Sequence, residues 1–458
     1  MRYYLDSIGC RLNQAEMEAL ARRLLAAGHA IVDRPEAAER VLLNTCAVTA
    51  EAAREARKRS RRFHRLSPGA EIVLTGCYAT LEPEALATLP GVGRVVANAR
   101  KEDLIALLDP AAAEDPPAYE LEPAMRLQRG AGGGHTRAFV KVQDGCDKRC
   151  SFCVTTLARG AGRSRPLEAV VDEVEALSRA GYREAVLTGV HLGSYGQDLG
   201  RRAGLSELIA ALLARTAIPR LRLSSLEPWD IPDGFFALWE DRRLLPHLHL
   251  PLQAGCDRTL ARMARGVSTA EFRALAARAR AAIPDLNLTT DLIAGFPGET
   301  EADFEAGLNF VREIGFGHLH VFPYSERPGT AAARMPGRVP VPERKDRARR
   351  LIALGETLAA ATHARFLGRE AEVLWERGDR APGAGRRQRW TGYTEGYLPV
   401  SLDSRQALAN QISRVRLVAA TAEGLRGRLL AEPEIAGSAG RLSSPLGSRF
   451  PARDRCRG

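Results

Sequence analysis

The chain of 458 residues contains no apolar run long enough to cross a bilayer. Its opening, MRYYLDSIGC, lacks the apolar core of an export signal. These two absences point to a cytoplasmic protein with no membrane partner. Lysine is also scarce: Lys58, Lys101, Lys141, Lys148 and Lys345 are its only lysines, and arginine supplies the rest of the basic charge. The balance of 66 basic against 55 acidic residues, a net charge of +11, suits a polyanionic partner such as nucleic acid. Arginine pairs bidentately with phosphate, so the bias, in part a matter of genome composition, does not oppose that partner. Without an export signal, the eight cysteines read as metal ligands and not as a disulfide frame. The hydrophobic share of 45% is ordinary for a packed core, and the length allows two to four domains.

The most informative segment is GCDKRCSFC, with Cys146, Cys150 and Cys153 at C-x3-C-x2-C spacing and the aromatic Phe152 before the last cysteine. Three thiolates this close can hold three irons of a [4Fe–4S] cube and leave the fourth iron open. A zinc knuckle would need a fourth ligand, usually from a second close pair. None follows; the next cysteine is Cys256, in QAGCD. The pattern resembles the signature of radical S-adenosylmethionine enzymes. In that superfamily the open iron chelates the amino and carboxylate groups of the methionine moiety.

Three more cysteines stand apart: Cys10 in SIGCRLNQ, Cys46 in LLNTCAV and Cys77 in VLTGCYA. Cys46 and Cys77 follow the apolar runs Val41–Leu43 and Ile72–Leu74, which read as buried parallel strands. Ligands in open α/β sheets gather at the carboxyl ends of strands, so the three thiols could hold a second cluster there. On spacing alone, small buried apolar side chains are the better reading.

The contexts Gly9-Cys10-Arg11-Leu12-Asn13, Asn44-Thr45-Cys46 and Gly76-Cys77-Tyr78, together with the later triplet, resemble the methylthiotransferase family. The resemblance runs from about Tyr4 to about Leu430. It implies two [4Fe–4S] clusters, the first held by Cys10, Cys46 and Cys77, with S-adenosylmethionine as cofactor and a low-potential electron donor as partner. One S-adenosylmethionine supplies a methyl group. A second supplies the radical that removes hydrogen from a carbon with no acidity to exploit.

The organisation is read as α/β. Residues 1–109 alternate strand and helix; one helix spans Glu16–Ala27 and a basic helical stretch spans Ala50–His64. Residues 110–135, rich in Pro and Gly, form a linker. Residues 136–365 repeat β-then-α units, with strands at Ala138–Gln143, Ala185–Thr188, Arg220–Ser224, His247–Leu250, Leu288–Ile293 and His318–Phe322. The resemblance makes this a partial (β/α)6 radical S-adenosylmethionine barrel. Residues 366–430 carry short strand-like runs at Ala371–Trp375, Arg389–Tyr393, Tyr397–Val400 and Val415–Ala419. They resemble the TRAM domain, a small RNA-binding all-β barrel. There Trp390, Tyr393 and Tyr397 interleave with arginines and either stack on bases or fill the core, with the core favoured for Trp390. Residues 431–458, with Cys456, are expected to be disordered.

Other positions match radical-domain motifs more loosely. Gly189 in LTGVHLGSYG follows the second strand, where the resemblance implies a contact to the methionine moiety, although the usual Gly-Gly-Glu form is absent. Glu227 in SSLEP and Gln253 in HLPLQAG follow strands where ribose and substrate contacts are implied. Ile293, Gly295 and Gly298 in TDLIAGFPGET resemble the adenine-contacting motif. Arg159 in LARG follows the cysteine loop and suits a carboxylate or phosphate. For each, a turn residue or surface charge is the plainer reading.

GCDKRCSFC with LARG, TGVHLGSYGQDLG, HVFPYSERPGTAAARM and TGYTEGYLPV resemble the branch that modifies threonylcarbamoyladenosine in tRNA. That implies 2-methylthiolation of the adenosine at position 37, in the anticodon stem-loop. Sister branches act on isopentenyladenosine in tRNA or on a ribosomal-protein aspartate. A non-catalytic iron–sulfur RNA-binding protein is the rival from another class.

Overall fold

The computed structural model describes residues 1–109, 136–201, 204–380 and 388–430. The expected linker at 110–135 and the expected tail at 431–458, with Cys456, lie outside the described residues.

The first unit is a five-stranded parallel sheet built from β1 (Arg2–Ser7), β2 (Ala30–Ile31), β3 (Arg40–Thr45), β4 (Glu71–Gly76) and β5 (Val92–Val96), in the order β2-β1-β3-β4-β5. The buried runs of β3 and β4 feed both faces. Val41, Leu43, Ile72 and Leu74 pack with Phe63 of α2 (Ala50–Leu66), while Leu42 and Val73 pack with Leu20 and Leu24 of α1 (Arg11–Ala26). Covering both faces is what a continuous apolar strand requires. The short helices α3 (Cys77–Leu81), α4 (Pro83–Ala87) and α5 (Leu104–Leu108) complete the unit. Helix α1 begins at Arg11, ahead of the expected Glu16, with Cys10 as its N-cap residue. Strands β2 and β5 escape a pattern reading because β2 has two residues and β5 is an edge strand in which only Val96 is buried.

The second unit holds six parallel strands. β6 (Arg137–Lys141), β9 (Glu184–Thr188) and β10 (Arg220–Leu223) form one sheet, and β11 (His247–His249), β12 (Asn287–Ala294) and β13 (His318–Pro323) another. Parallel bridges Leu221–Leu244 and Ser225–His249 join them into an open (β/α)6 barrel. The outer layer contains α7 (Leu167–Arg179), α8 (Gly204–Arg215), α9 (Asp257–Arg262), α10 (Thr269–Ala282), α11 (Glu301–Ile314) and α12 (Val341–Phe366), preceded in sequence by α6 (Thr155–Arg159). Ser268 with Glu271 and Thr300 with Asp303 form capping boxes that start α10 and α11. Leu248, Leu288, Leu292 and Leu319 join the core beneath the helices, and Leu319 lies under Gly355 of α12. The alternate residues His247, His249, Thr289, Asp291, His318 and His320 contact one another across the strands and so face the lumen. The first strand is shorter than expected: Gln143 belongs to a ribbon of β7 (Gln143–Asp144) and β8 (Arg163–Ser164) that flanks the cysteine loop.

The third unit is a closed five-stranded barrel, the TRAM fold: β14 (Glu370–Arg380), β15 (Gln388–Thr394), β16 (Pro399–Ser404), β17 (Ile412–Thr421) and β18 (Gly424–Leu429), in the order β14-β15-β16-β18-β17. Trp390 is buried in its core, as expected. β18, GLRGRL, has no strand signature of its own, since glycine and arginine interrupt its apolar pattern. β16 starts at Pro399 and not at Tyr397, because Thr394–Tyr397 is a turn whose Tyr397 has φ of 64°. That turn stoppers the N-terminal end of the six-stranded barrel. Arg222 Nη1 donates to the Glu395 carbonyl at 3.0 Å, and Asn287 Nδ2 donates to the Gly396 carbonyl at 2.7 Å. Tyr397 stacks on Tyr393 with ring centroids 4.7 Å apart, and Arg137 and Arg222 lie over the Tyr397 ring at 5.0 and 4.7 Å. The base-stacking alternative for Tyr393 and Tyr397 is thereby corrected: their faces are spent on each other and on arginines at the domain junction.

Candidate functional site

The Cys146–Cys153 loop leaves the C-terminal end of the barrel between β7 and β8. Each of its sulfurs receives an N–H donor: Lys148 N to Cys146 at 3.4 Å, Thr155 N to Cys153 at 3.4 Å and Arg265 Nη1 to Cys150 at 3.8 Å. Burial pushes the Cys150 and Cys153 thiols up, Arg265 only partly opposing this at Cys150 and Thr155 at Cys153. At Cys150 and Cys153, sulfurs provided with donors yet too buried to ionise alone fit ligation to iron, which supplies the missing positive charge.

The other three cysteines follow neighbouring strands of the first sheet: Cys10 after β1, Cys46 after β3 and Cys77 after β4. Backbone chemistry explains their glycines. Gly9 has φ of 101°, and a Cβ there would come within 2.7 Å of Cys46 Sγ. Gly76 has φ of 100° and abuts the Thr45 carbonyl, so a side chain would displace the β3 end from the β4 end. Burial drives the Cys46 thiol up to about 12, and Cys10 and Cys77 add to the rise. Asn98 Nδ2 reaches Cys77 Sγ at 3.7 Å, and the Cys10 thiol points to Asn13 Oδ1 at 3.8 Å. Among the described residues, neither cysteine set brings its sulfurs within 4.8 Å of one another as a single ion would require; only His249, Asp291 and His320 gather that closely.

A buried polar network joins the two sets. Arg159 ends α6, just beyond Cys153, and donates to Asn13 Oδ1, Glu16 Oε1 and Asp144 Oδ1, each at 2.8 Å. Lys101 Nζ donates to Glu16 at 2.7 Å, and Asn44 Nδ2 donates to the same carboxylate at 2.9 Å. Burial alone would raise the Glu16 carboxyl, but Lys101 and Arg159 outweigh it and hold Glu16 well below the usual carboxylate range. Arg159 therefore meets carboxylates of its own chain and is not free for a phosphate. Asn13, which the sequence shows only as a letter of a cysteine motif, bonds Arg159 and so ties the two cysteine sites together, and Asn44 braces Glu16 beside it.

The remaining candidates lie at or beyond the C-terminal ends of the barrel strands. Phe152 is half-buried, edge-on to Phe296 with centroids 6.4 Å apart. Gly189 lies against Gln143, whose Nε2 donates to the Asp144 and Gly145 carbonyls at 2.9 Å and so braces the loop. Glu227 accepts from Arg265 Nη2 at 2.5 Å. Gln253 has φ of 74°, a strained value for a non-glycine residue, and exchanges backbone bonds of 2.9 Å with Asp291 and Ile293. Gly295 and Gly298 follow β12. Cys256 donates to Asp303 Oδ1 at 3.4 Å, at the start of α9.

Sequence reasoning misses His191, Asp230 and Arg265. His191 bridges Asp230 and Cys146; burial lowers its pKa, but these two partners outweigh it and push it up to about 9. Arg265 stacks on Trp229 at 4.4 Å between Cys150 and Glu227. No short motif encodes these residues, because each comes from a different loop.

Residues 2–97 match the family described as uncharacterized protein family UPF0004, and residues 140–311 match the radical SAM superfamily. The chain is 34% identical over 422 residues to the threonylcarbamoyladenosine tRNA methylthiotransferase MtaB of Bacillus subtilis, covering 90% of this chain and 93% of that protein. The chain belongs to the radical S-adenosylmethionine tRNA methylthiotransferases. Another relative in the family, the MtaB of Thermotoga maritima, is 35% identical, covering 81% of this chain and 86% of that one. The tRNA-2-methylthio-N(6)-dimethylallyladenosine synthase of Chloroflexus aurantiacus is 36% identical, covering 93% and 91%. The radical S-adenosylmethionine methyltransferase TsrM of Kitasatospora setae superposes with a TM-score of 0.53 at 17% identity, over 72% of this chain and 77% of that one, a likeness of fold alone. As a radical S-adenosylmethionine methylthiotransferase, the chain is an enzyme of tRNA modification that uses a [4Fe–4S] cluster and S-adenosylmethionine. Among the described residues, no helix is long and apolar enough to cross a membrane.

Proposed function

We propose that this enzyme converts N6-threonylcarbamoyladenosine beside the tRNA anticodon to its 2-methylthio derivative, in the cytoplasm, with electrons from a low-potential donor. The observation that supports this branch is the polarity of the barrel lumen. His249, Asp291, His318 and His320 line one wall, with Thr289 between the strands. A threonylcarbamoyl group carries a carboxylate, a hydroxyl and amide groups, which such a wall can hydrogen-bond. A prenyl group offers nothing to pair with them, and burying these side chains against it would cost free energy.

In this reading Cys146, Cys150 and Cys153 hold the cluster that binds S-adenosylmethionine, and Cys10, Cys46 and Cys77 hold a second. When bound and reduced, the first cluster with its cofactor supplies a carbon radical able to take a hydrogen that acid–base catalysis cannot reach. The chain's own residues position and shield. Gln143 braces the cysteine loop, Arg265 and His191 donate to its sulfurs, and Phe152, Gly189, Glu227, Gln253 and Ile293 border the cofactor. Arg159 and Glu16 fix the distance between the two cysteine sites. The TRAM turn closes the far end of the lumen against water. Mass spectrometry of tRNA nucleosides from a strain lacking the gene tests the reading. The 2-methylthio-threonylcarbamoyl nucleoside should vanish while its precursor accumulates.

A further inference from the structure

We propose that His249, Asp291 and His320 form a mononuclear divalent transition-metal site in the barrel lumen, separate from both cysteine sites. The three residues come from three adjacent strands, β11, β12 and β13, with Asp291 and His320 in direct register. Their ligand atoms all lie within 4.8 Å of one another. His249 Nε2 is 3.2 Å from Asp291 Oδ1, close to the roughly 3.3 Å that separates two ligands in a tetrahedron with about 2 Å bonds. Two imidazoles and one carboxylate are a common donor set for zinc or iron(II) sites that keep open positions.

The surroundings orient the ligands as such sites require. The Thr289 hydroxyl lies 3.4 Å from the Leu248 carbonyl, to which it donates. The same oxygen lies within hydrogen-bond distance of His249 Nδ1, at 2.9 Å, and of His247 Nε2, at 3.1 Å. His249 Nε2 then points toward the Asp291 oxygen. A neighbouring hydroxyl that fixes the imidazole tautomer is the usual outer support of a metal-bound histidine. Access is graded: His249 is 8% exposed, Asp291 half-buried and His320 open to the lumen. The remaining coordination positions therefore face the space where substrate enters. The inference does not depend on which nucleoside that is.

The test uses the full-length enzyme with its iron–sulfur clusters reconstituted, dialysed anaerobically against zinc chloride. Total iron and zinc are measured, and the zinc is located by anomalous scattering. Wild type should bind about one zinc per chain at unchanged iron content. Asp291→Asn, which keeps the side-chain volume, and His320→Ala should each weaken zinc binding at least about tenfold. His318→Ala, outside the donor set, should retain it. Equal iron content in all variants shows that the fold is intact. The proposal is overturned if wild type binds no zinc, if Asp291→Asn binds it as tightly as wild type, or if zinc uptake displaces iron.

Discussion

Arg159 and Asn13 are bonded at 2.8 Å, and through that bond the loop of Cys153 is tied to the helix that begins at Cys10. The same guanidinium grips Glu16, a residue with almost no exposure. The two cysteine sites are thus held at one separation by a buried ion pair and not by a flexible hinge.

Removing one partner of a buried pair leaves the other charge uncompensated. Arg159→Ala should cost about 3–5 kcal/mol of stability. Arg159→Lys should recover only part of it, because an ammonium cannot serve Asn13, Glu16 and Asp144 in one plane. Thermal unfolding of anaerobic protein checks both. The pH dependence has a definite sign. The Glu16 carboxyl is depressed in the folded state, so its contribution is fully present above the unfolded value near 4.5. That contribution is lost as pH falls toward the folded value. Glu16→Gln should flatten this acid limb of the stability profile.

The two cysteine sets should be separable by metal content. Reconstituted enzyme should hold about two cubanes, and replacing Cys146, Cys150 and Cys153 together with Ala should leave about one. Cys150→Ala should abolish both 5′-deoxyadenosine release and methylthio transfer. Cys46→Ala should abolish transfer while 5′-deoxyadenosine still forms. Equal loss of 5′-deoxyadenosine in both variants would contradict this division.

The junction made by Tyr397 predicts a structural role for the TRAM barrel, beside the RNA contact proposed for it. Truncation after Phe366 should leave every proposed cluster ligand in place but uncover Arg220, Arg222 and Glu184 at the barrel floor. The truncated chain should therefore melt earlier as well as bind tRNA more weakly. Tyr397→Ala, which deletes one stacked ring and its arginine contacts, should cost about 3 kcal/mol. A truncated chain that melts like the full one would show the turn to be a passive contact.

Helix α2 offers a second basic surface. Arg54, Lys58, Arg61, Arg62 and Arg65 are exposed along it, and Arg61, Arg62 and Arg65 make no ion pair among the described residues. tRNA affinity should fall steeply with salt. Changing Arg61, Arg62 and Arg65 to Glu should reduce the slope by about one for each phosphate that is no longer neutralised. An unchanged slope would place the RNA elsewhere.

Much of the architecture is legible in the sequence, and the reason is periodicity. β3 and β4 carry unbroken apolar runs, and β10 and β11 alternate leucines toward the helices with polar residues toward the lumen. The cysteine triplet is legible because its three thiols fall within eight residues of one loop. What stays hidden depends on contacts between distant segments. His191, Asp230 and Arg265 reach the cysteine loop from separate loops, and Glu16 meets Arg159 across a domain boundary. Tyr397 reads as available to a base because nothing local shows that Arg137 and Arg222 already cover it. β18 escapes notice because its burial rests largely on Leu425.

The central claim is the nucleoside and the atom modified, and it is tested most directly by mass spectrometry of tRNA from matched strains with and without the gene. The account predicts loss of 2-methylthio-N6-threonylcarbamoyladenosine and accumulation of N6-threonylcarbamoyladenosine, restored by the wild-type gene and not by Cys150→Ala. Loss of the 2-methylthio-isopentenyl nucleoside instead, with the threonylcarbamoyl nucleosides unchanged, would contradict it.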